Sequence, residues 1–217
     1  MRLILSLFLL AFSSSVMARE LYYLKMESVD LSQVPPPPVP HSKEDLDDLQ
    51  AVIFAQTART QAECLRAAFE SEGFATSFFG GDYGPLTTNE AKKLIEFQER
   101  LFNEVNAFSR LLKKKYSRVR PFERDTRVTP CIPLHHSSSY PSGHAATAYV
   151  ASRAFALIYP DKTKEFFFRA RTIAWGRVIG GVHHPLDVSA GEILGEEVFS
   201  ALLENEDFLN DLGNLKP

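Results

Sequence analysis

Leu94, Phe97, Leu101, Val105, Phe108 and Leu112 recur at intervals of three and four residues, so a helix through them turns one continuous apolar face inward. Thr87 and Glu90 form a capping-box pair before it, and it should end near Lys115-Tyr116. Ser42 offers an N-cap with Asp45 at the third helical position, and Leu46, Leu49 and Ile53 begin a helix predicted to run to Gly73. Between these two helices lies a Gly-rich, aromatic loop through Gly84-Pro85. Three further helices are predicted: from about Ser142 to Ile158, stopping at Pro160; from about Lys162 to Val178, breaking at Gly180-Gly181; and from Pro185 to near Glu204. No window alternates apolar and polar residues between turn signals, as a half-buried strand would. The expected fold class is all-α, a single-domain helical bundle around one core with an extended N-terminal arm.

Ahead of the bundle, Arg2, the apolar run Leu3 to Phe12 and the small-residue site at Val16-Met17-Ala18 have the form of a cleavable signal peptide over residues 1–18. That run is well short of the roughly 20 residues a spanning helix needs, and no later stretch reaches that length. The expectation is a protein with no membrane span, exported to the periplasm or secreted. Residues 19–41 read as the arm, because Pro35 to Pro38 and then Pro40 withhold the amide donors a helix requires. Residues 42–217 are then the helical domain. Cys64 and Cys131 are free to pair in an oxidising compartment, or to stay as two buried thiols.

The net charge is -3, which gives no reason to expect binding to a nucleic-acid duplex. Between Arg110 and Arg127, however, Arg110, Lys113, Lys114, Lys115, Arg118, Arg120, Arg124 and Arg127 are opposed only by Glu123 and Asp125. Such a run is ordinarily a solvated face, so spacing must carry any functional reading.

Three clusters have informative spacing. Lys113 closes the long helix, and Arg120, kept extended by Pro121, follows it, so a mobile point charge and a planar fork can meet one anion. Tyr140-Pro141-Ser142-Gly143-His144 stands where a helix should begin, and free amides there favour an anion. His144 is of a type suited to protonate a leaving oxygen. In the third cluster Arg177 ends one helix, His183 follows in the Gly-Gly loop, and Asp187 lies in the next first turn. There Asp187 can fix the His183 tautomer and leave its other nitrogen free to attack. Of their neighbours, His184 reads as a loop residue lining the pocket. Lys114, Lys115 and Arg118 read as solvated or near its mouth, and Phe78, Phe79 and Tyr83 as either core or substrate entrance.

In type and spacing these clusters resemble the signature of the type-2 phosphatidic acid phosphatase superfamily. Tyr22-Tyr23-Leu24, Pro35 to Pro38, Tyr116 to Phe122 and Ser139 to His144 further resemble the class A bacterial non-specific acid phosphatases. The resemblance implies an α-helical fold, hydrolysis of small phosphate monoesters of broad specificity, no metal or other cofactor, and a phosphohistidine intermediate. It implies His183 as nucleophile, Asp187 as its orienting partner and His144 as general acid. Lys113, Arg120, Ser142, Gly143 and Arg177 become the phosphate ligands. Two positions depart from the family pattern: Gly176 where serine is usual, and Ala145 where threonine is frequent.

The same residue set would also hold vanadate, so the alternative enzyme is a vanadate-dependent haloperoxidase. From another class, His135, His136, His144, His183 and His184 suggest a metal-binding protein, but they lack the cysteines or helical spacing usual in zinc sites. The natural substrate is left open, and a homo-oligomer is compatible with the sequence.

Overall fold

The computed structural model describes residues 21–217 apart from Phe74; the expected signal segment 1–18 lies outside the described residues. In chain order the helices are α1 Lys43–Ala58, α2 Gln61–Phe69, α3 Ala75–Phe78, α4 Thr88–Lys93, α5 Ile95–Tyr116, α6 Pro121–Arg124, α7 Gly143–Ile158, α8 Thr163–Ile179, α9 Pro185–Leu203 and α10 Glu206–Leu215. Among the described residues there is no strand, only an isolated bridge between Gly80 and Leu86, so the all-α expectation holds.

The apolar stripe from Leu94 to Leu112 is buried throughout. Its helix packs against α7, which also contacts α8 and α9 and forms the centre of the bundle. α7 suits that position because Ala145, Ala146, Ala148, Ala151 and Ala154 bury little side-chain bulk and let neighbours come close. On α9 the matching surface is glycine: a Cβ at Gly191 would stand 2.4 Å from the Ser142 carbonyl oxygen, and one at Gly195 2.9 Å from the Tyr149 Cβ. This close approach lets the Ser142 amide donate to the Asp187 carbonyl at 2.9 Å, joining the start of α7 to the start of α9.

Residues 21–41 lie along the helical body. The amides of Tyr22 and Tyr23 donate to buried Glu104 at 2.5 and 2.9 Å, and the Tyr140 hydroxyl donates to the Pro35 carbonyl. Where the long helix from Ser42 to Gly73 was expected, Ser42 does cap α1 and Gly73 does adopt the left-handed conformation, at φ 72°. The helix is nevertheless broken at Arg59-Thr60. Thr60 and Glu63 form a capping box that starts α2, and extended Arg59 reaches the carbonyls of Ile179 and Thr129 at 2.9 and 2.8 Å. Leu46, expected on the apolar face, is exposed. The second expected helix divides at Leu94 into α4 and α5, and α10, capped by Asn205 and anchored by Phe208 and Leu212, was not anticipated. Phe78 and Phe79 belong to the core, and Tyr83 is exposed.

Cys64 and Cys131 are joined in a disulfide, with Cα atoms 5.7 Å apart and a sequence separation of 67. It ties α2 to the segment that leads into the second cluster. Closing a loop of that length restricts the unfolded chain by about 4 kcal/mol. Replacing both cysteines by serine should therefore lower the unfolding free energy by about 2–4 kcal/mol in urea titration. An unchanged midpoint would show that the bridge contributes nothing.

Candidate active site

Asp187 organises the centre of the site. Sitting at the third position of α9 and fully buried, its Oδ2 faces His183 Nδ1 at 3.3 Å, His184 Nδ1 at 3.1 Å and the His184 amide at 2.9 Å, and accepts from the Ser139 hydroxyl. Its Oδ1 accepts from Arg118 Nη1 at 2.7 Å. Burial alone would raise this carboxyl, but the bonds from His183 and His184 overcome it and hold the group well below the usual carboxylate range.

The arginines fix both imidazole tautomers, because a guanidinium only donates. Arg120 Nη1 lies 3.3 Å from His183 Nε2, so that nitrogen presents its lone pair and Nδ1 carries the proton given to Asp187. Arg124 Nη1 lies 3.1 Å from His184 Nε2, which fixes His184 in the same tautomer but occupies its only lone pair. His184 is thus a buried strut at the start of α9 rather than a pocket-lining loop residue.

His144 follows Ser142 and Gly143 at the start of α7. Ser142 is the N-cap, its hydroxyl accepting from the Ala145 amide at 3.3 Å, and the first-turn amides after it have no acceptor within the helix. His144 Nε2 lies 3.2 Å from the Ser71 carbonyl, so Nε2 donates and Nδ1 holds the lone pair. Arg177, on the last turn of α8, is buried; its Nη1 donates to the Ser71 hydroxyl at 2.7 Å, and its Nε has no partner among the described residues.

Electrostatics show how closely these groups converge. Burial, then Arg120, lowers Lys113 to about 7; burial, then Arg120, lowers Arg177 to about 9. Burial, then Arg177, pushes His144 well below its ordinary value, and burial, then Arg120 and Lys113, does the same to His183 against the opposing pull of Asp187. Cations that depress one another in a buried cluster suit an anionic ligand. Lys113 and Arg120 meanwhile donate to the carbonyls of Ser138 and Ser137, on the loop that the disulfide anchors. His135 on that loop stands with its ring 6.4 Å from that of His144.

The structure therefore brings His183, His144, Asp187, Lys113, Arg120, Ser142, Gly143 and Arg177 to one place. Arg118 corrects the sequence reading: it is buried, not solvated, and its Nη2 reaches Asp45 and Asp48 on α1 at 3.1 and 2.8 Å. Lys114 and Lys115 are exposed, as expected. Sequence reasoning missed Ser71, Ser139, Asp45 and Asp48, whose only local signal is a short polar or acidic side chain near a turn or cap. Among the described residues no group of three or more His, Cys, Asp or Glu side chains is arranged to hold a metal ion.

Residues 103–204 match the model of the PAP2 superfamily. Over that span the chain is similar to the PAP2 superfamily. That PAP2 span contains all three clusters, while Ser71, Asp45 and Asp48 come from outside it. Lipid A 1-phosphatases of Rhizobium johnstonii and Rhizobium etli are 37% and 36% identical over 89 residues, or 39% of this chain. The match spans only 36% and 38% of those relatives' lengths. Among solved structures, the first bacterial vanadium-dependent iodoperoxidase aligns with a TM-score of 0.57 at 15% identity, over 78% of this chain and 51% of its own. A transmembrane PAP2 type phosphatidylglycerolphosphate phosphatase from Bacillus subtilis aligns with a TM-score of 0.52 at 20% identity, over 74% of this chain and 85% of its own. At these identities the likeness is one of fold. No helix among the described residues is long and apolar enough to cross a membrane.

Proposed function

We propose that the protein is a phosphatase that hydrolyses small phosphate monoesters through a phosphohistidine on His183, in the manner of the class A acid phosphatases. The observation that carries this reading is the His183 Nε2 lone pair, oriented by the Nδ1 contact with Asp187 and facing Arg120 within a cluster of mutually depressed cations. Nε2 attacks phosphorus as the P–O bond to the leaving group breaks, and protonated His144 gives its Nδ1 proton to the departing oxygen. Water, deprotonated by the now neutral His144, then breaks the N–P bond and releases phosphate. Lys113, Arg120, Arg177 and the first-turn amides of α7 meet the charge on the equatorial oxygens.

The pKa directions set the sign of the pH dependence. His183 must be neutral, and its depressed pKa keeps it neutral into the acid range. His144 must be protonated, and its depressed pKa means that this form is lost early as pH rises; the negative charge of bound substrate offsets that loss in part. The expected kcat profile, which reports the substrate-bound enzyme, has its maximum between about pH 4 and 6.5 and falls towards pH 8. A profile still rising above pH 8 removes the assignment of His144.

The deciding assay is p-nitrophenyl phosphate hydrolysis in excess EDTA, with and without vanadate. Persistence in EDTA and inhibition by vanadate are expected, and vanadate-dependent halide oxidation by peroxide would replace the reading with the haloperoxidase one. Export from the cytoplasm belongs to the same proposal, supported by the Cys64–Cys131 disulfide and by the signal-like pattern of residues 1–18.

A further inference from the structure

Arg177 would meet phosphate directly, yet nothing in its own motif holds it: Gly176 before it has no side chain, where the resembling family usually offers a serine hydroxyl. The contact comes instead from the turn after α2. The Ser71 hydroxyl gives its proton to the Ala67 carbonyl at 2.9 Å, which leaves a lone pair to accept from Arg177 Nη1 at 2.7 Å. The carbonyl of the same residue accepts from His144 Nε2 at 3.2 Å. One serine thus touches the histidine of the second cluster and the arginine of the third.

The turn carrying Ser71 is itself held from α8. Buried Glu70 pairs with buried Arg169, whose Nε and Nη2 also donate to the carbonyls of Phe78 and Ser77 at 2.7 and 3.1 Å. Gly176 faces this turn closely: a Cβ there would stand 3.0 Å from Glu70 Oε2 and 3.4 Å from the Ala67 Cβ. Where the motif lacks a hydroxyl, the turn after α2 supplies one.

We propose that Ser71 is a positioning residue of the phosphate site, its hydroxyl fixing the Arg177 guanidinium for the anion in place of a side chain at 176. This rests on the phosphatase reading and goes beyond it in assigning a determinant outside the three motifs.

The test compares wild type, Ser71→Ala and Ser71→Thr by calorimetric binding of inorganic phosphate and by kcat and KM on p-nitrophenyl phosphate. Loss of the hydroxyl should weaken the Kd for phosphate and raise KM by about fivefold, the equivalent of about 1 kcal/mol. Because the His144–carbonyl contact survives in both variants, the alkaline fall of the kcat profile should keep its position. Threonine, which keeps the hydroxyl, should restore the Kd to within about twofold. A purely structural role would lower thermal stability without moving the Kd. An unchanged or tighter Kd in Ser71→Ala, or failure of threonine to restore it, overturns the assignment of Ser71 while leaving the phosphatase reading intact. A wild-type protein that neither binds nor hydrolyses phosphate overturns both.

Discussion

Replacing His183 by alanine should lower hydrolysis of p-nitrophenyl phosphate by about 10⁴-fold or more and abolish acid-labile phosphate trapped on the protein during turnover. The size follows from the role. His183 Nε2 is the imidazole lone pair that Asp187 backs through Nδ1–H and that faces Arg120; His184 Nε2 is taken by Arg124, and His144 has no carboxylate behind it, its Nε2–H going to the Ser71 carbonyl. No neighbour is placed to substitute. His144→Ala should behave differently. A leaving group that departs readily without a proton needs the general acid least, so the loss should be much larger on an alkyl phosphate than on p-nitrophenyl phosphate. Its labelled intermediate should also persist, because the water that clears it lacks a base. His183 is buried, so thermal unfolding of the alanine variant is the control that separates lost chemistry from lost fold. A label that survives in His183→Ala assigns the nucleophile elsewhere.

The sequence was most informative where a local pattern has a single physical solution. The Leu94 to Leu112 stripe could bury its face only as a helix, and Ser42, Thr87, Ser142 and Pro185 marked helix starts because each meets the open amides of a first turn in a known way. The three clusters were legible for the same reason: each lies at a helix end, where backbone and side chains together favour an anion. Residues that act across the chain were not legible. Asp45 and Asp48 looked like ordinary acidic residues near the start of a helix, and Arg118 like one more member of a basic run, until α1 was seen to pack beside α8 and α9. The break at Arg59 has a tertiary part, two carbonyls on distant segments capturing one guanidinium, and a local one that was overlooked, the Thr60–Glu63 capping box. Gly176, a loss when seen only in its own motif, becomes intelligible once Glu70 and Ala67 are known to occupy the space beside it.

Arg118 carries the second large prediction. Its side chain is 6% exposed and serves Asp187 with Nη1 and both Asp45 and Asp48 with Nη2, carboxylates that are 0–3% exposed. Replacing it by methionine, which fills similar space, leaves Asp48 and Asp187 buried without a cationic partner, although Arg124 still pairs with Asp45. Breaking a buried network from one side costs about 3–5 kcal/mol, and a loss of that size should appear in urea unfolding at pH 7. The pH dependence identifies the cause. In the wild type the Asp187 carboxyl is held low, so it stabilises the fold above the ordinary carboxylate pKa and loses that effect as pH falls through its folded value. Asp48 is already raised by burial despite Arg118, and without the arginine it rises further. A raised carboxyl penalises the fold at neutral pH and ceases to do so as it protonates. The deficit of Arg118→Met should therefore shrink between pH 7 and about pH 4. Activity should fall as well, because Asp187 no longer has one oxygen anchored while the other holds His183. Arg118→Lys should recover only part of both losses, since an ammonium cannot span Asp187 and the two α1 carboxylates as the planar fork does. A destabilisation under about 1 kcal/mol, or one that is constant with pH, would place the network's contribution outside these ion pairs.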